Sequence, residues 1–98
     1  MHLPKSATIL KRMRQGRLGR LHRLGFVLAG SLVRLPGHQS LYLTDKVRGK
    51  TRTVYIPLNR LDEVKGWNAQ YKEGKRLLTE LSAIQRALLR GEIRARRR

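Results

Sequence analysis

Leu41-Tyr42-Leu43-Thr44-Asp45-Lys46-Val47-Arg48-Gly49-Lys50-Thr51-Arg52-Thr53-Val54-Tyr55-Ile56, followed by Pro57, is the stretch whose register decides the fold. A two-residue turn at Arg48-Gly49, with glycine supplying the positive φ that such turns need, pairs the flanks outward. Leu43 then faces Val54, Leu41 faces Ile56 and Asp45 lies opposite Arg52. On the other side of the pleat, Tyr42 meets Tyr55, Thr44 meets Thr53 and Lys46 meets Thr51. One register thus yields an apolar face, a polar-aromatic face and a cross-strand ion pair. A turn at Gly49-Lys50 would set Asp45 against Val54 and is rejected.

Working upstream, Ser31-Leu32-Val33-Arg34-Leu35 is a further strand, and Pro36-Gly37 is a turn signal. The result is a three-stranded antiparallel meander with strands near 31–35, 40–47 and 50–56, and Leu32 joins Leu41, Leu43, Val54 and Ile56 on one face. The face with Tyr42, Thr44, Lys46, Thr53 and Tyr55 is either open and functional or covered by a helix. Its tyrosines can stack on bases or contact phosphates, and they are equally ordinary sheet stabilisers.

Downstream, Pro57 ends the sheet and Asn59 is the expected N-cap of a helix over 59–90, with Asp62 and Glu63 in the first turn. Trp67, Tyr71, Gly74, Leu78, Leu81, Gln85 and Leu88 then recur in steps of four and three, the pattern of a packing or oligomer seam. Leu61, Val64, Leu77 and Ile84 widen it. Such a helix is roughly 45 Å long, whereas the strands span roughly 17–27 Å, so its distal half needs the amino-terminal helix, a second copy, or both. Gly74 allows either a close approach or a hinge.

The amino-terminal segment 1–24 is expected to be a basic helix capped by Ser6, with Ile9, Leu10, Met13, Leu21, Leu24 and Leu28 on one broad side. Lys11, Arg14, Arg17, Arg20 and Arg23 place a cation at every third position, an oblique stripe with no acid interleaved. It is either a solvated face or a phosphate-contacting ridge. The terminal segment 91–98, with Arg94, Arg96, Arg97 and Arg98, is expected to be a disordered basic tail.

The 98 residues are expected to form a single small domain of α+β class: basic helix, meander, long amphipathic helix. Net charge is +17, and no acidic residue precedes Asp45. A charge this one-sided on so small a body is relieved by a polyanion, nucleic acid first and an anionic membrane next. The absence of cysteine excludes disulfides and thiolate metal sites and suits the cytoplasm. An acid-free, arginine-rich start also has the character of a transit peptide, although serines are few. The apolar run 24–33 is too short and glycine-broken for a membrane span. His2, His22 and His38 have no carboxylate or thiol at ligand spacing, so neither metal nor cofactor is expected. No phosphate loop, nucleophile elbow or catalytic carboxylate pair is present, which argues against an enzyme.

Leu24-Gly25-Phe26-Val27-Leu28-Ala29-Gly30-Ser31-Leu32-Val33-Arg34, then 37–43, 49–57 and Trp67, resemble a small prokaryotic family of unknown function. Its members carry a helix, a Gly-Ser-Leu-Val-Arg strand, a cysteine-rich knuckle, a Tyr-rich strand, a Gly-Lys-Thr-Arg strand and a long helix. The resemblance covers 24–89. It departs at the knuckle, which is replaced here by Leu35-Pro36-Gly37-His38-Gln39, so ligands for any metal of the relatives are missing. It implies the helix, meander, helix order and no particular activity. More loosely, the sheet and following helix are similar to the arm-type DNA-binding domains of tyrosine recombinases, which implies a sheet that enters a major groove.

The expectation is a nucleic-acid-binding protein, duplex DNA ahead of RNA, nucleoid-associated if the target is DNA. Lys11, Arg14, Arg17, Arg20, Arg23, Lys46, Arg48, Lys50 and Arg52 would meet phosphates or a groove, with Tyr42 and Tyr55 beside them. A ribonucleoprotein role fits the same residues. The different alternative is a protein-interaction module, including a homodimer, acting through Trp67, Tyr71, Leu78, Leu81 and Leu88.

Overall fold

A computed structural model describes residues 2–37 and 39–97. His38 and Arg98, expected as a loop histidine and as part of the basic tail, lie outside the described residues. Helix α1 (Ala7–His22) is followed by β1 (Ser31–Arg34), β2 (Leu41–Val47), β3 (Lys50–Ile56), a 3₁₀ turn (Leu58–Arg60) and helix α2 (Leu61–Arg96). The strands form one antiparallel sheet in the order β1-β2-β3, giving the expected α+β architecture.

The hairpin register is the one required by the apolar and charged pairs: Leu41 opposite Ile56, Leu43 opposite Val54, Asp45 opposite Arg52. Arg48 and Gly49 form the turn with φ of 52° and 79°, both positive as a two-residue hairpin of this twist demands. Strand β1 pairs only with residues 41–44 of β2, from Ser31 opposite Thr44 to Arg34 opposite Leu41.

The residues divide into two compact units. One comprises residues 25–72. Its core is Leu43, Ile56 and Val64, with Leu28, Leu32, Leu41, Leu61 and Trp67 packed against them. The first turns of α2 therefore lie on the leucine face of the sheet, leaving the tyrosine face as the opposite side. Buried Asn68 ties the 24–30 connection to α2 by donating to the carbonyls of Leu28 (3.0 Å) and Gly30 (2.8 Å).

The other unit comprises the residues up to Leu24 and those from Glu73 onward. Here Leu10 packs with Ile84 and Leu88, flanked by Leu3, Met13 and Ala87. Gly74 is buried, and a Cβ there would stand 3.1 Å from the Leu24 side chain, so the glycine admits that leucine. Ser6 caps α1 by accepting from the Ile9 amide.

Four expectations are corrected. Helix α1 stops at His22, so Leu28 belongs to the sheet core and not to an α1 face. Asn59 sits inside the 3₁₀ turn and is not the cap of α2, because the chain leaving Pro57 tightens for one turn first. Helix α2 runs through Gly91 to Arg96. One glycine costs about 1 kcal/mol, which neighbouring helix formers offset, and arginines in the last turn suit the helix dipole. Arg94 and Arg96 are therefore helical, not an irregular tail. Finally, the seam places Leu77 and Ile84 inside, fully buried, while Leu78 is 57% exposed.

Candidate nucleic-acid interface

Because β1 ends at the Ser31–Thr44 pair, residues 45–52 extend beyond it as a two-stranded ribbon. Three residue steps at about 3.4 Å make this extension roughly 10 Å long. At its base, Arg52 holds Asp45 in a bidentate pair, Nε to Oδ1 at 3.0 Å and Nη2 to Oδ2 at 2.7 Å. That hydrogen bonding holds the Asp45 carboxyl below its ordinary range and raises the Arg52 guanidinium above its own. The pair fixes the strand register where β1 no longer supports it. Beyond it, Lys46, Arg48 and Lys50 are exposed and enter no ion pair among the described residues.

Tyr42 and Tyr55 meet edge to face, ring centroids 5.8 Å apart and planes at 63°. This geometry favours contact of a positive ring edge with a negative ring face. Tyr55 is 53% exposed, and Thr51 and Thr53 beside it are exposed too. On the opposite face, Arg60 stacks over Trp67, its guanidinium carbon 5.6 Å from the ring centroid, and pairs with Glu63. A hollow of about 300 Å³ opens there between Val54, Pro57, Val64 and Trp67.

The α1 stripe has partners that its own spacing did not reveal. Arg14 donates to Gln85 Oε1 at 2.8 Å, Arg17 Nε donates to Glu80 Oε1 at 2.8 Å, and Arg20 lies 3.8 Å from Glu73. Arg76 joins the same carboxylates from within α2. Glu73 is held below its ordinary range chiefly by Arg76, and Glu80 chiefly by Arg17. The expectation of an arginine ridge without acids therefore changes: α2 brings the acids. Lys11 and Arg23 remain exposed. The hairpin cations and tyrosines belong to one unit and the α1 stripe to the other, so they are two separate sets.

Of the expected seam, Trp67, Tyr71 and Leu81 are half-buried and Leu88 is buried against Leu10, so the Leu88 position is filled from within the chain. Sequence reasoning missed Glu73 and Glu80 as partners of α1; their seven-residue spacing, two helical turns on one face, was the available signal. Among the described residues, no three His, Asp or Glu side chains converge as a metal site would require, and no helix is long and apolar enough to cross a membrane. Comparisons with protein-family models, with curated proteins and with solved structures find no match to this chain.

Proposed function

We propose that this protein binds nucleic acid, with duplex DNA as its target, by lodging the β2–β3 ribbon in the major groove. The observation that carries this reading is the ribbon itself. It is a two-stranded projection with Lys46, Arg48 and Lys50 toward its tip and its one acid, Asp45, already paired. The major groove is about 12 Å wide and 8.5 Å deep and admits a two-stranded ribbon of this length. Lysine and arginine at the tip meet phosphates on either side, which supplies affinity without sequence preference.

The exposed face of Tyr55 favours a second reading, in which unpaired bases of RNA or single-stranded DNA stack on the sheet. Titrating labelled duplex DNA, single-stranded DNA and structured RNA at two salt concentrations separates the two. Duplex binding that is tightest and weakens steeply with salt is the expected result. Loss of Tyr55 would then matter little, whereas under the second reading Tyr55→Ala weakens single-strand binding by about ten-fold. Absence of binding to all three at low salt would end both.

A further inference from the structure

The chain carries a second cationic surface that the ribbon does not use. An open groove of about 690 Å³ runs between the amino-terminal segment and the distal part of α2. Lys5 lines it, and so do Arg86, Arg90 and Arg94; no acidic residue does. Along α2 these arginines recur every fourth residue, a slowly winding row with steps of about 6 Å at 1.5 Å per residue. Among the described residues none of the four enters an ion pair.

That arrangement costs stability unless something relieves it. Like charges at i,i+4 repel by a few tenths of a kcal/mol per pair, and two such pairs are stacked here. The helix dipole favours Arg94 in the last turn, but its influence does not extend back to Arg90 and Arg86. Glu73 and Glu80, two of the few acids on α2, are engaged with Arg17, Arg20 and Arg76. Glu92, between Arg90 and Arg94 in sequence, is exposed and does not line the groove, so inside the groove the counter-charge has to come from outside the chain.

The floor says what kind of anion fits. Ala83, Ala87, Gly91 and Ala95 follow the same four-residue spacing, so no long side chain fills the groove. Leu10 beneath it is only 2% exposed, leaving no deep apolar pocket in which a partner helix could anchor. An elongated polymer with regularly spaced negative charge suits these walls better than an amphipathic helix does.

We propose that this groove is a phosphate-backbone site, in which Arg86, Arg90 and Arg94 contact phosphates of one nucleic-acid strand and Lys5 contacts it from the opposite wall. The proposal rests on the nucleic-acid reading above and adds contacts to those of the ribbon. Its test is the salt dependence of binding to a short labelled duplex, followed by fluorescence anisotropy. Compared are the full chain, a groove variant (Arg86→Gln, Arg90→Gln, Arg94→Gln), a charge-matched control (Arg12→Gln, Lys65→Gln, Lys72→Gln) and a ribbon variant (Lys46→Gln, Arg48→Gln, Lys50→Gln). Glutamine is close to arginine in helix propensity, and circular dichroism establishes that folding is retained.

With three phosphate contacts removed, the slope of log K against log salt becomes shallower by roughly 2–3 in the groove variant and by much less in the control. Equal changes in the two variants, or no change in the groove variant, overturn the proposal. If the parent chain binds and only the ribbon variant loses slope, the nucleic-acid reading stands and the groove site falls. If the parent chain binds no duplex at any salt, both fall. Retained DNA binding with lost binding to phosphatidylserine vesicles in the groove variant overturns it in favour of a lipid surface.

Discussion

Asn68 is the residue on which the smaller details turn. It is a polar side chain only 3% exposed, and both its amide hydrogens are used, one on each of two carbonyls of the connection into β1. Nearby, Gly30 has φ of 127°, and a Cβ there would stand 2.9 Å from the Thr44 carbonyl oxygen. The connection can lie close to β2 only because glycine has no side chain, and Asn68 holds it there. Asn68→Ala takes the side-chain donor away from the part-buried Leu28 and Gly30 carbonyls and is expected to cost about 1–3 kcal/mol. Urea denaturation measures this as a lower midpoint. Nothing in the sequence marked Asn68, because a polar residue on a helix is by default a solvated one. Only the arrival of the Leu28 and Gly30 carbonyls gives it a role.

At the scale of elements, the hairpin was legible and the helix seam only partly so. Alternation with period two, one positive-φ glycine and one complementary charge pair admit a single register, so the sequence sufficed for β2 and β3. Along α2, Leu77 and Leu78 are adjacent and both apolar, and steps of four and three can pass through either. Packing decides: Leu77 is buried and Leu78 is out. Leu77→Ala is therefore expected to destabilise by about 2–5 kcal/mol. Leu78→Ala should fall within about 0.5 kcal/mol of the parent. Thermal and urea unfolding of the two variants side by side check this; comparable losses would mean that the seam runs where the simple heptad places it. The ends of α2 were misread for a related reason. Asn59 and Gly91 carry local preferences of about 1 kcal/mol, too small to set the limits of a 36-residue helix.

At the scale of the whole molecule, 23 lysines and arginines face 6 acidic residues, and where the acids go determines which cations remain. Asp45 takes Arg52 and Glu63 takes Arg60, while Glu73 and Glu80 take Arg17, Arg20 and Arg76. The spacing of the α1 cations was plain in the sequence, but which side of the stripe would meet Glu73 and Glu80 was not, because helical periodicity gives a face and not its neighbour. The carboxyls of Glu73 and Glu80 are held below their ordinary range in the folded chain. Their contribution is therefore complete near neutrality and fades as pH falls below about 4.3 toward the lowered values. Glu80→Gln should lower the melting temperature at pH 7, with the difference from the parent shrinking as pH approaches 2. A difference independent of pH would assign the loss to packing and not to charge.

Among the described residues, the cations left without an acid include those of the ribbon and of the distal turns of α2, together with scattered exposed ones such as Lys11, Arg12, Arg23 and Lys65. Under the proposed function, the ribbon is the part of this protein that enters the groove of a duplex. Backbone amide chemical shifts recorded while a short DNA duplex is added test it most directly. The largest shifts are expected in the amides of Lys46, Val47, Arg48, Gly49 and Lys50, reversed by raising the salt. Shifts that leave these five residues untouched while DNA is demonstrably bound would contradict it.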